Sequence, residues 1–211
     1  MAKAAAAATR PGPRPSTSRD EIVRITIELL DRDGPDSLTF RGVARELGVA
    51  VGALSRYFRN LQDLRDAVTA QISAGVRPLA AKSKRELRQQ LVRLGMDWLE
   101  VNRAHPYLLT IHGSASAAVI ARHVSQGVKV LVACGVDFER AMVIYSIVTN
   151  LAHAWGVELA RQQDPALQAA VVQAFTDESA ELAPQLTRLA AAYRGGMQRR
   201  ALELVVDGLL P

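Results

Sequence analysis

Apolar residues recur at helical spacing from residue 19 onward, and this pattern predicts helices rather than strands. The first stripe, over residues 22–30, follows Ser18, which we expect to cap the helix. Asp20 and Glu21 fall in the first turn, where the helix dipole favours acidic side chains. The stretch DRDGPDS then ends this helix. No alternating strand pattern of convincing length appears along the chain.

Short predicted helices follow the first one at close intervals. Thr39 is the expected N-cap of a helix of about two turns that stops at Gly48. Another short helix is predicted across residues 51–58, and a longer one begins near Leu61. Short helices joined by tight turns are typical of a helix-turn-helix.

Longer apolar stripes beyond about residue 80 predict a larger helical body. One of its segments, residues 138–162, is apolar nearly all round, as expected of a helix buried on two sides. We therefore predict an all-α chain with a three-helix N-terminal module over residues 19–66 and a larger helical part over residues 67–211. Residues 1–18 are rich in proline, carry basic side chains and lack acids, so we predict a flexible basic arm.

Composition narrows the class of protein. A chain of 211 residues that is 49% hydrophobic can bury a sizeable core, and its net charge of +5 favours an anionic partner. The single cysteine, Cys134, cannot form an intramolecular disulfide, and no Cys/His cluster has metal-ligand spacing. No phosphate-binding glycine loop or nucleophile motif is present, so we expect no metal, no cofactor and no enzyme activity. No secretory or membrane-length apolar segment is present, which predicts a cytoplasmic protein without a membrane partner.

The second short helix has the features of a groove-reading surface. Recognition helices need a shallow outward face, and small side chains supply one at Val51, Gly52, Ala53 and Ser55. Arg56 and Arg59 can reach phosphates or guanine edges, and the Tyr57 hydroxyl can bind a phosphate. The N-terminus of the preceding helix, at Thr39 and Arg41, adds backbone N–H groups and a further positive charge.

Residues 20–68 resemble the DNA-binding domain of the TetR (tetracycline-repressor-like) family of bacterial transcriptional regulators. The motifs that match are LLDRDG, LTFRGVARELGV, LSRYF and LRDAV, at the family's spacing. The later segments HPYLL and ALELVVDGLL look like the ligand-binding and dimerisation domain of the tetracycline-repressor subgroup. The resemblance implies a homodimer that binds a palindromic double-stranded DNA operator and leaves it when a small-molecule effector binds the larger domain.

By the same resemblance, eight positions fall where the family touches DNA: Thr39, Arg41, Val51, Gly52, Ala53, Ser55, Arg56 and Tyr57. The chain departs from the family at Ser55, where most members have tyrosine, and at Leu61, where most have lysine. Both changes remove phosphate contacts. We hypothesise that the basic arm, through Arg10, Arg14 and Arg19, restores part of the lost affinity.

Candidate ligand-pocket residues lie in the larger part of the chain. Ser146, Asn150 and His153 share one face of an otherwise apolar helix, so they either line a cavity or hydrogen-bond across a helix interface. The resemblance adds Trp98, His105, Tyr107 and His112, because effector sites in the family are built from this region.

Two alternative functions stay open on the sequence alone. The departures at Ser55 and Leu61 are compatible with a helical partner-binding module whose helix-turn-helix has lost its affinity for DNA. An activator is the other alternative, because the sequence does not distinguish it from a repressor.

Overall fold

The computed structural model describes residues 17–111, 116–161, 165–178 and 196–210, together with Pro184 and Arg188. Its helices are α1 (Arg19–Asp33), α2 (Phe40–Glu46), α3 (Val51–Leu54), α4 (Leu61–Ser73), α5 (Lys84–Ala104), α6 (Ser116–Ala133), α7 (Phe138–Arg161), α8 (Pro165–Glu178) and α9 (Met197–Leu209). A 3₁₀ turn at Pro35–Ser37 separates α1 from α2. These ranges contain no strand, and the predicted all-α fold is confirmed.

Side-chain caps fix the starts of the N-terminal helices. Ser18 Oγ accepts a hydrogen bond from the Glu21 backbone N–H at 3.1 Å, and Thr39 Oγ1 accepts one from Gly42 at 2.9 Å. Both caps were predicted, because an N-cap depends on a short local stretch of sequence. Gly48 has a φ of 65°, a left-handed conformation that other residues rarely adopt, and it ends the α2 segment as predicted.

The helix predicted across residues 51–58 is shorter in the structure. Regular α-helix covers Val51–Leu54, and a tighter turn continues to Tyr57. The Tyr57 backbone N–H donates to the Leu54 carbonyl at 2.9 Å, a bond to the third residue back that is typical of a 3₁₀ turn. Leu54 and Phe58 are each 1% exposed, so they anchor this segment to the core of the N-terminal module.

Helix α4 joins the N-terminal module to the body, because it packs against α1 on one side and α6 on the other. The predicted boundary between residues 66 and 67 falls inside this helix and stays a prediction. The loop after α4 is fastened to α5, since Arg77 Nη2 lies 2.7 Å from Asp97 Oδ1. Arg93 also donates to the Pro78 carbonyl at 3.0 Å. The loop that follows α4 is therefore held to α5 by polar contacts.

The body is built around the packing of α5 on α7, with α9 against both. Ala141, Ile144, Tyr145 and Val148 form much of the buried face of α7. Where the two long helices approach most closely, the position of an added Cβ on Gly156 lies 2.7 Å from the Leu99 carbonyl oxygen. A glycine therefore lets the two backbones meet. Within the described ranges, no helix is both long and apolar enough to cross a membrane.

Gly156→Ala should destabilise the protein, although alanine usually favours a helix over glycine by about 1 kcal/mol. Its methyl group would meet Asn102 Cβ at 2.6 Å as well as the Leu99 backbone, so the helices must separate. We expect the free energy of unfolding in urea to fall by about 1–3 kcal/mol. Gly208→Ala, where no heavy atom lies within 4 Å of the added Cβ, is the matched control and should not destabilise. Equal stability of Gly156→Ala and wild type would contradict the close α5–α7 contact.

Candidate nucleic-acid interface and ligand pocket

The residues predicted to contact DNA lie on the surface formed by α2 and α3. Seven of them are exposed: Thr39, Arg41, Val51, Gly52, Ser55, Arg56 and Arg59. Ala53 and Tyr57 are half-buried at the side of this surface. We call the seven exposed residues the α2–α3 face.

The α2–α3 face is shallow at its centre. No heavy atom lies within 4 Å of the position that a Cβ would occupy on Gly52. Val51 beside it is 43% exposed and has no charge. The backbone of α3 can therefore approach a flat partner such as the edges of base pairs.

Arginines on the α2–α3 face supply positive charge. The guanidinium groups of Arg41 and Arg56 form no hydrogen bond or ion pair with any residue that the structure describes. The Arg59 side chain is 90% exposed, and its Nε lies 3.7 Å from Asp63 Oδ2, a loose contact. These three groups are available to anionic partners at little cost in broken internal contacts.

The hydroxyl of Thr39, at the start of α2, can accept one hydrogen bond and donate another. Its oxygen accepts the Gly42 backbone N–H and so caps the helix. Its own hydrogen remains able to donate, because a threonine hydroxyl is both donor and acceptor. Thr39 can therefore bind a phosphate oxygen without giving up the cap.

The hydroxyl of Tyr57 has a partner inside the protein. It donates to the Thr17 carbonyl, while the Tyr57 carbonyl accepts from the Arg19 guanidinium. The predicted phosphate contact through this hydroxyl requires that its bond to Thr17 be exchanged. In the free protein, Tyr57 instead ties the start of α1 to the end of the α3 turn.

Arg19, grouped with the arm as a possible DNA contact, is engaged in the same junction. Its Nη2 donates to Asp63 Oδ1 at 3.0 Å, and its guanidinium lies 4.2 Å from the centre of the Phe58 ring. Asp63 also accepts the Arg59 backbone N–H at 3.1 Å. This backbone hydrogen bond, followed by the one from Arg19, lowers the pKa of Asp63. Arg19 thus serves the fold at the point where the arm joins α1.

Sequence reasoning missed Asp63 and its neighbour Asn60. Asn60 Oδ1 accepts the Asp63 backbone N–H at 2.9 Å and caps α4. An asparagine directly before the apolar stripe of α4, with an acid three residues later, is a signal that could have located this cap. The tertiary role of Asp63 with Arg19 had no local signal, because 44 residues separate the pair.

In the body, the structure brings Trp98 and His153 together and adds His123, which sequence reasoning missed. The Trp98 ring centre lies 5.0 Å from that of His153 and 5.6 Å from that of His123, both in edge-on geometry. Burial, followed by the charge of Arg122, lowers the pKa of His123, which favours its neutral form. We call these three residues the aromatic cluster.

Trp98 carries an unused hydrogen-bond donor. The side chain is 8% exposed, and the Tyr145 hydroxyl lies near the indole nitrogen. The two do not meet hydrogen-bond geometry, so Trp98 Nε1–H is buried without a partner among the described residues. Burial raises the pKa of Tyr145 to about 12, so its hydroxyl stays protonated at neutral pH. The cluster is therefore aromatic and supplied with a polar donor.

The other pocket candidates lie elsewhere or outside the described residues. Ser146 and Asn150 are exposed on the outer face of α7, away from the aromatic cluster. His105 and Tyr107 both contact Asp31 at the end of α1. His112 lies outside the described residues. Within the described ranges, no group of three potential ligand side chains could hold a metal ion.

Comparisons with known proteins agree with this arrangement. Residues 22–68 match the family model described as bacterial regulatory proteins, tetR family. A curated relative, the HTH-type transcriptional repressor DrrR1 of Streptomyces coeruleorubidus, is 28% identical over 103 residues. That match covers 49% of this chain and 38% of the repressor.

Solved structures extend the similarity over most of the chain. The structure of BioQ with its natural double-stranded DNA operator has a TM-score of 0.59 at 23% identity and covers 92% of this chain and 99% of its own. The Streptomyces coelicolor TetR-family protein ActR in complex with (S)-DNPA has a TM-score of 0.66 at 20% identity. It covers 92% of this chain and 97% of its own. The helix-turn-helix part of the chain, residues 22–68, therefore matches the tetR family of bacterial regulatory proteins, and the chain shares the overall fold of these solved structures.

Proposed function

We propose that the protein is a ligand-responsive transcriptional regulator, a repressor, that binds a palindromic operator as a homodimer and leaves it when a small molecule binds. The observation that carries the proposal is the α2–α3 face, where Arg41 and Arg56 flank the open surface at Gly52. Such a face combines phosphate binding with access to base edges. A DNA partner would place the protein in the cytoplasm, and the family whose model matches residues 22–68 consists of non-enzymatic regulators.

Relatives with the same fold support both halves of the proposal. BioQ was solved with its DNA operator, and ActR was solved with the small molecule (S)-DNPA. Their identity to this chain is below 25%, so these structures show the shared fold. The curated relative DrrR1 is a transcriptional repressor, which favours a repressor over an activator.

The outer face of the body supports dimerisation. Helices α7 and α9 lie side by side, since Arg140 Nε donates to the Leu209 carbonyl at 3.0 Å. Their outer faces expose apolar side chains in the single chain: Phe138 at 68%, Val143 at 47%, Ile147 at 38% and Leu204 at 59%. Large apolar side chains exposed in this number are typical of a protein interface. We infer that Ser146 and Asn150 belong to this surface rather than to the ligand pocket.

Two-fold symmetry determines the kind of operator. The α3 helices of a homodimer must enter successive major grooves on one side of the duplex, about 34–36 Å apart. An operator read in this way has two inverted half-sites, because each protomer presents the same surface. An effector lowers DNA affinity if it binds better to a dimer whose α3 helices are too close or too far apart for DNA. The size of the effect is limited by the difference between the effector's affinities for that form and for the DNA-binding form.

We place the effector at the aromatic cluster of Trp98, His123 and His153. A group of aromatic rings with a buried unpartnered donor suits an apolar ligand that carries a hydrogen-bond acceptor. Among the predicted candidates, Ser146 and Asn150 lie on the outer face of α7, and His105 lines a separate groove between α1, α4 and α5. His112 stays a candidate.

Fluorescence anisotropy on two duplexes tests the proposal. The probe duplex is the region directly upstream of the protein's own gene, and the control is its scrambled sequence, each at two salt concentrations. We expect tight, salt-sensitive binding to the upstream duplex and much weaker binding to the scrambled one. Weak binding to both duplexes at both salt concentrations would favour the partner-binding alternative.

Arg56→Ala should weaken operator binding without unfolding the protein, because the Arg56 guanidinium forms no hydrogen bond or ion pair with the described residues. If Arg56 reads a base, the loss is about 1–3 kcal/mol per contact, and preference at that base position relaxes. If the affinity falls equally for the operator and the scrambled duplex, Arg56 contacts a phosphate instead of a base. Arg24→Ala, which removes an exposed arginine from α1, is the matched charge control.

Removal of residues 2–16 tests the proposed role of the basic arm. This truncation keeps Thr17 and Ser18, which hold Tyr57 and cap α1, so the fold of the N-terminal module is preserved. We expect weaker operator binding and a shallower dependence of log affinity on log salt, by about one unit for each lost phosphate contact. A truncated protein with an unchanged salt slope would show that the arm does not contact DNA.

A further inference from the structure

Two side chains of the body hold one carboxylate of the N-terminal module. The Tyr107 hydroxyl donates to Asp31 Oδ1 at 2.6 Å, and His105 Nδ1 lies 2.7 Å from the same oxygen. Asp31 belongs to the last turns of α1, whereas His105 is the C-cap residue of α5. The contacts join residues 74 and 76 positions apart in the chain, so they tie the two parts of the protein together.

The chemistry of the three groups defines the direction of each bond. An ionised carboxylate only accepts hydrogen bonds, so His105 must carry its proton on Nδ1 to make this contact. Tyr107 has a single hydroxyl hydrogen and gives it to Asp31. Burial, followed by the bond to Asp31, raises the pKa of Tyr107, so the donor stays protonated across the physiological range. The Tyr107 ring is 6% exposed, which fixes the donor in the body.

The contact lies at the edge of a groove between the two parts. The groove has a volume of about 660 Å³ and is lined by Ile27 of α1, Ile72 of α4 and Val101 of α5, with His105 at its side. An open groove leaves room for α1 to move relative to α5. A polar contact at the edge of the groove can fix the distance between α1 and α5.

Helix α5 connects this contact to the proposed effector site. Trp98 precedes His105 by seven residues, about 10 Å along a helix. Asn102, between them, donates to the Trp98 carbonyl at 2.7 Å and is fully buried. A ligand that displaces Trp98 therefore acts on the same rigid element that carries His105.

We propose that Asp31, His105 and Tyr107 form an interdomain latch that positions the helix-turn-helix relative to the body. The latch rests on the proposed function. In a dimer, the separation of the two α3 helices depends on the angle between the helix-turn-helix and the body, which the latch would hold. With the latch broken, the N-terminal module samples more orientations. The fraction of dimers ready to bind DNA falls, and the apparent affinity falls with it.

Four variants test the latch. Tyr107→Phe removes one hydroxyl and keeps the buried ring, and Asp31→Ala removes the shared acceptor. Asp31→Asn keeps an oxygen that can accept hydrogen bonds from both His105 and Tyr107. Its distance spread and its DNA affinity, measured as described below, should therefore lie closer to wild type than those of Asp31→Ala. Glu28→Ala is the matched control, because it removes another α1 carboxylate whose ion pair with Arg24 stays within the same helix. Circular dichroism establishes whether each variant is folded. If Asp31→Ala does not fold, Tyr107→Phe alone tests the latch.

The first readout is energy transfer between the two parts of the chain. The only tryptophans, Trp98 and Trp155, lie in the body and serve as donors. An acceptor dye is placed at Asp36→Cys in the N-terminal module, in a Cys134→Ala background. Time-resolved transfer then reports the spread of distances between the parts, whether or not the protein binds DNA. We expect a broader spread in Tyr107→Phe and Asp31→Ala, and an unchanged one in Glu28→Ala.

The second readout is anisotropy on a duplex selected from a random pool with the wild-type protein. We expect both latch-breaking variants to bind about three- to tenfold more weakly, as the loss of one or two hydrogen bonds implies. An unchanged distance spread, or a broader spread with unchanged affinity, would overturn the positioning role. If the wild type selects no duplex, the proposed function fails, and energy transfer alone decides whether the latch fixes the domain angle.

Discussion

Gly52→Tyr should abolish operator binding in a protein that remains folded. The position of a Cβ on Gly52 has no heavy atom within 4 Å, so the new side chain projects into solvent and leaves the core intact. On DNA, the same side chain occupies the space that the base edges need, and it does so in both half-sites of a dimer. Loss of base contacts at about 1–3 kcal/mol each implies at least about a hundredfold weaker binding.

Gly52→Ala provides a graded control for this prediction, because its methyl group fits the open space and is small enough for the groove. Anisotropy with the selected duplex measures binding, and thermal unfolding followed by circular dichroism measures stability. We expect the two variants to unfold at similar temperatures and to differ strongly in DNA affinity. Wild-type affinity in Gly52→Tyr would show that α3 does not enter a groove.

Ile147→Glu should separate the dimer and, as a consequence, remove operator binding. Ile147 is 38% exposed near the middle of α7, among the apolar residues that we assign to the interface. A carboxylate there is solvated in the single chain but would be buried without a partner between two copies. A monomer binds only one half-site, so the energy of the second half-site is lost, with an expected fall in affinity of at least about a hundredfold.

Sedimentation velocity measures the oligomeric state in this experiment. Ile120→Glu is the matched control, because it makes the same substitution at a residue that is 46% exposed on α6. We expect Ile147→Glu to sediment as a monomer and Ile120→Glu to sediment as a dimer with operator affinity intact. A dimeric Ile147→Glu protein would place the interface on another surface.

Local features of the N-terminal module could be predicted from the sequence. The caps at Ser18 and Thr39 and the stop at Gly48 each depend on fewer than about five consecutive residues, and all three are present. Exposure of Gly52 and Arg56 also agrees with the shallow, basic face that was expected. Short-range chemistry was sufficient for these predictions because no distant residue alters them.

Contacts between distant segments could not be predicted. Tyr57 and Arg19 were expected to face DNA, but their partners, Thr17 and Asp63, are brought to them by the packing of α1 against α4. His105 was expected in a pocket, and its partner Asp31 lies 74 residues earlier in the chain. A single sequence contains no periodic signal for such pairs.

Helical spacing also gave an incomplete account of α7. Ser146, Asn150 and His153 lie within about 60° on a helical projection, and they were treated as one stripe. The boundary between solvent and α5 runs through that arc, so Ser146 and Asn150 are exposed while the His153 ring packs on Trp98. Periodicity determines which residues share a face, but not where a neighbouring helix covers that face.

Selection of duplexes from a random-sequence pool, followed by sequencing, tests directly whether the protein binds an operator of two inverted half-sites. The wild-type protein is incubated with the pool at moderate salt, and bound duplexes are recovered over several rounds. We expect enrichment of two inverted half-sites whose centres are about one helical turn apart, and no such enrichment with Gly52→Tyr. A wild-type pool that remains unenriched, or that yields a motif without inverted symmetry, would contradict a dimeric operator-binding regulator.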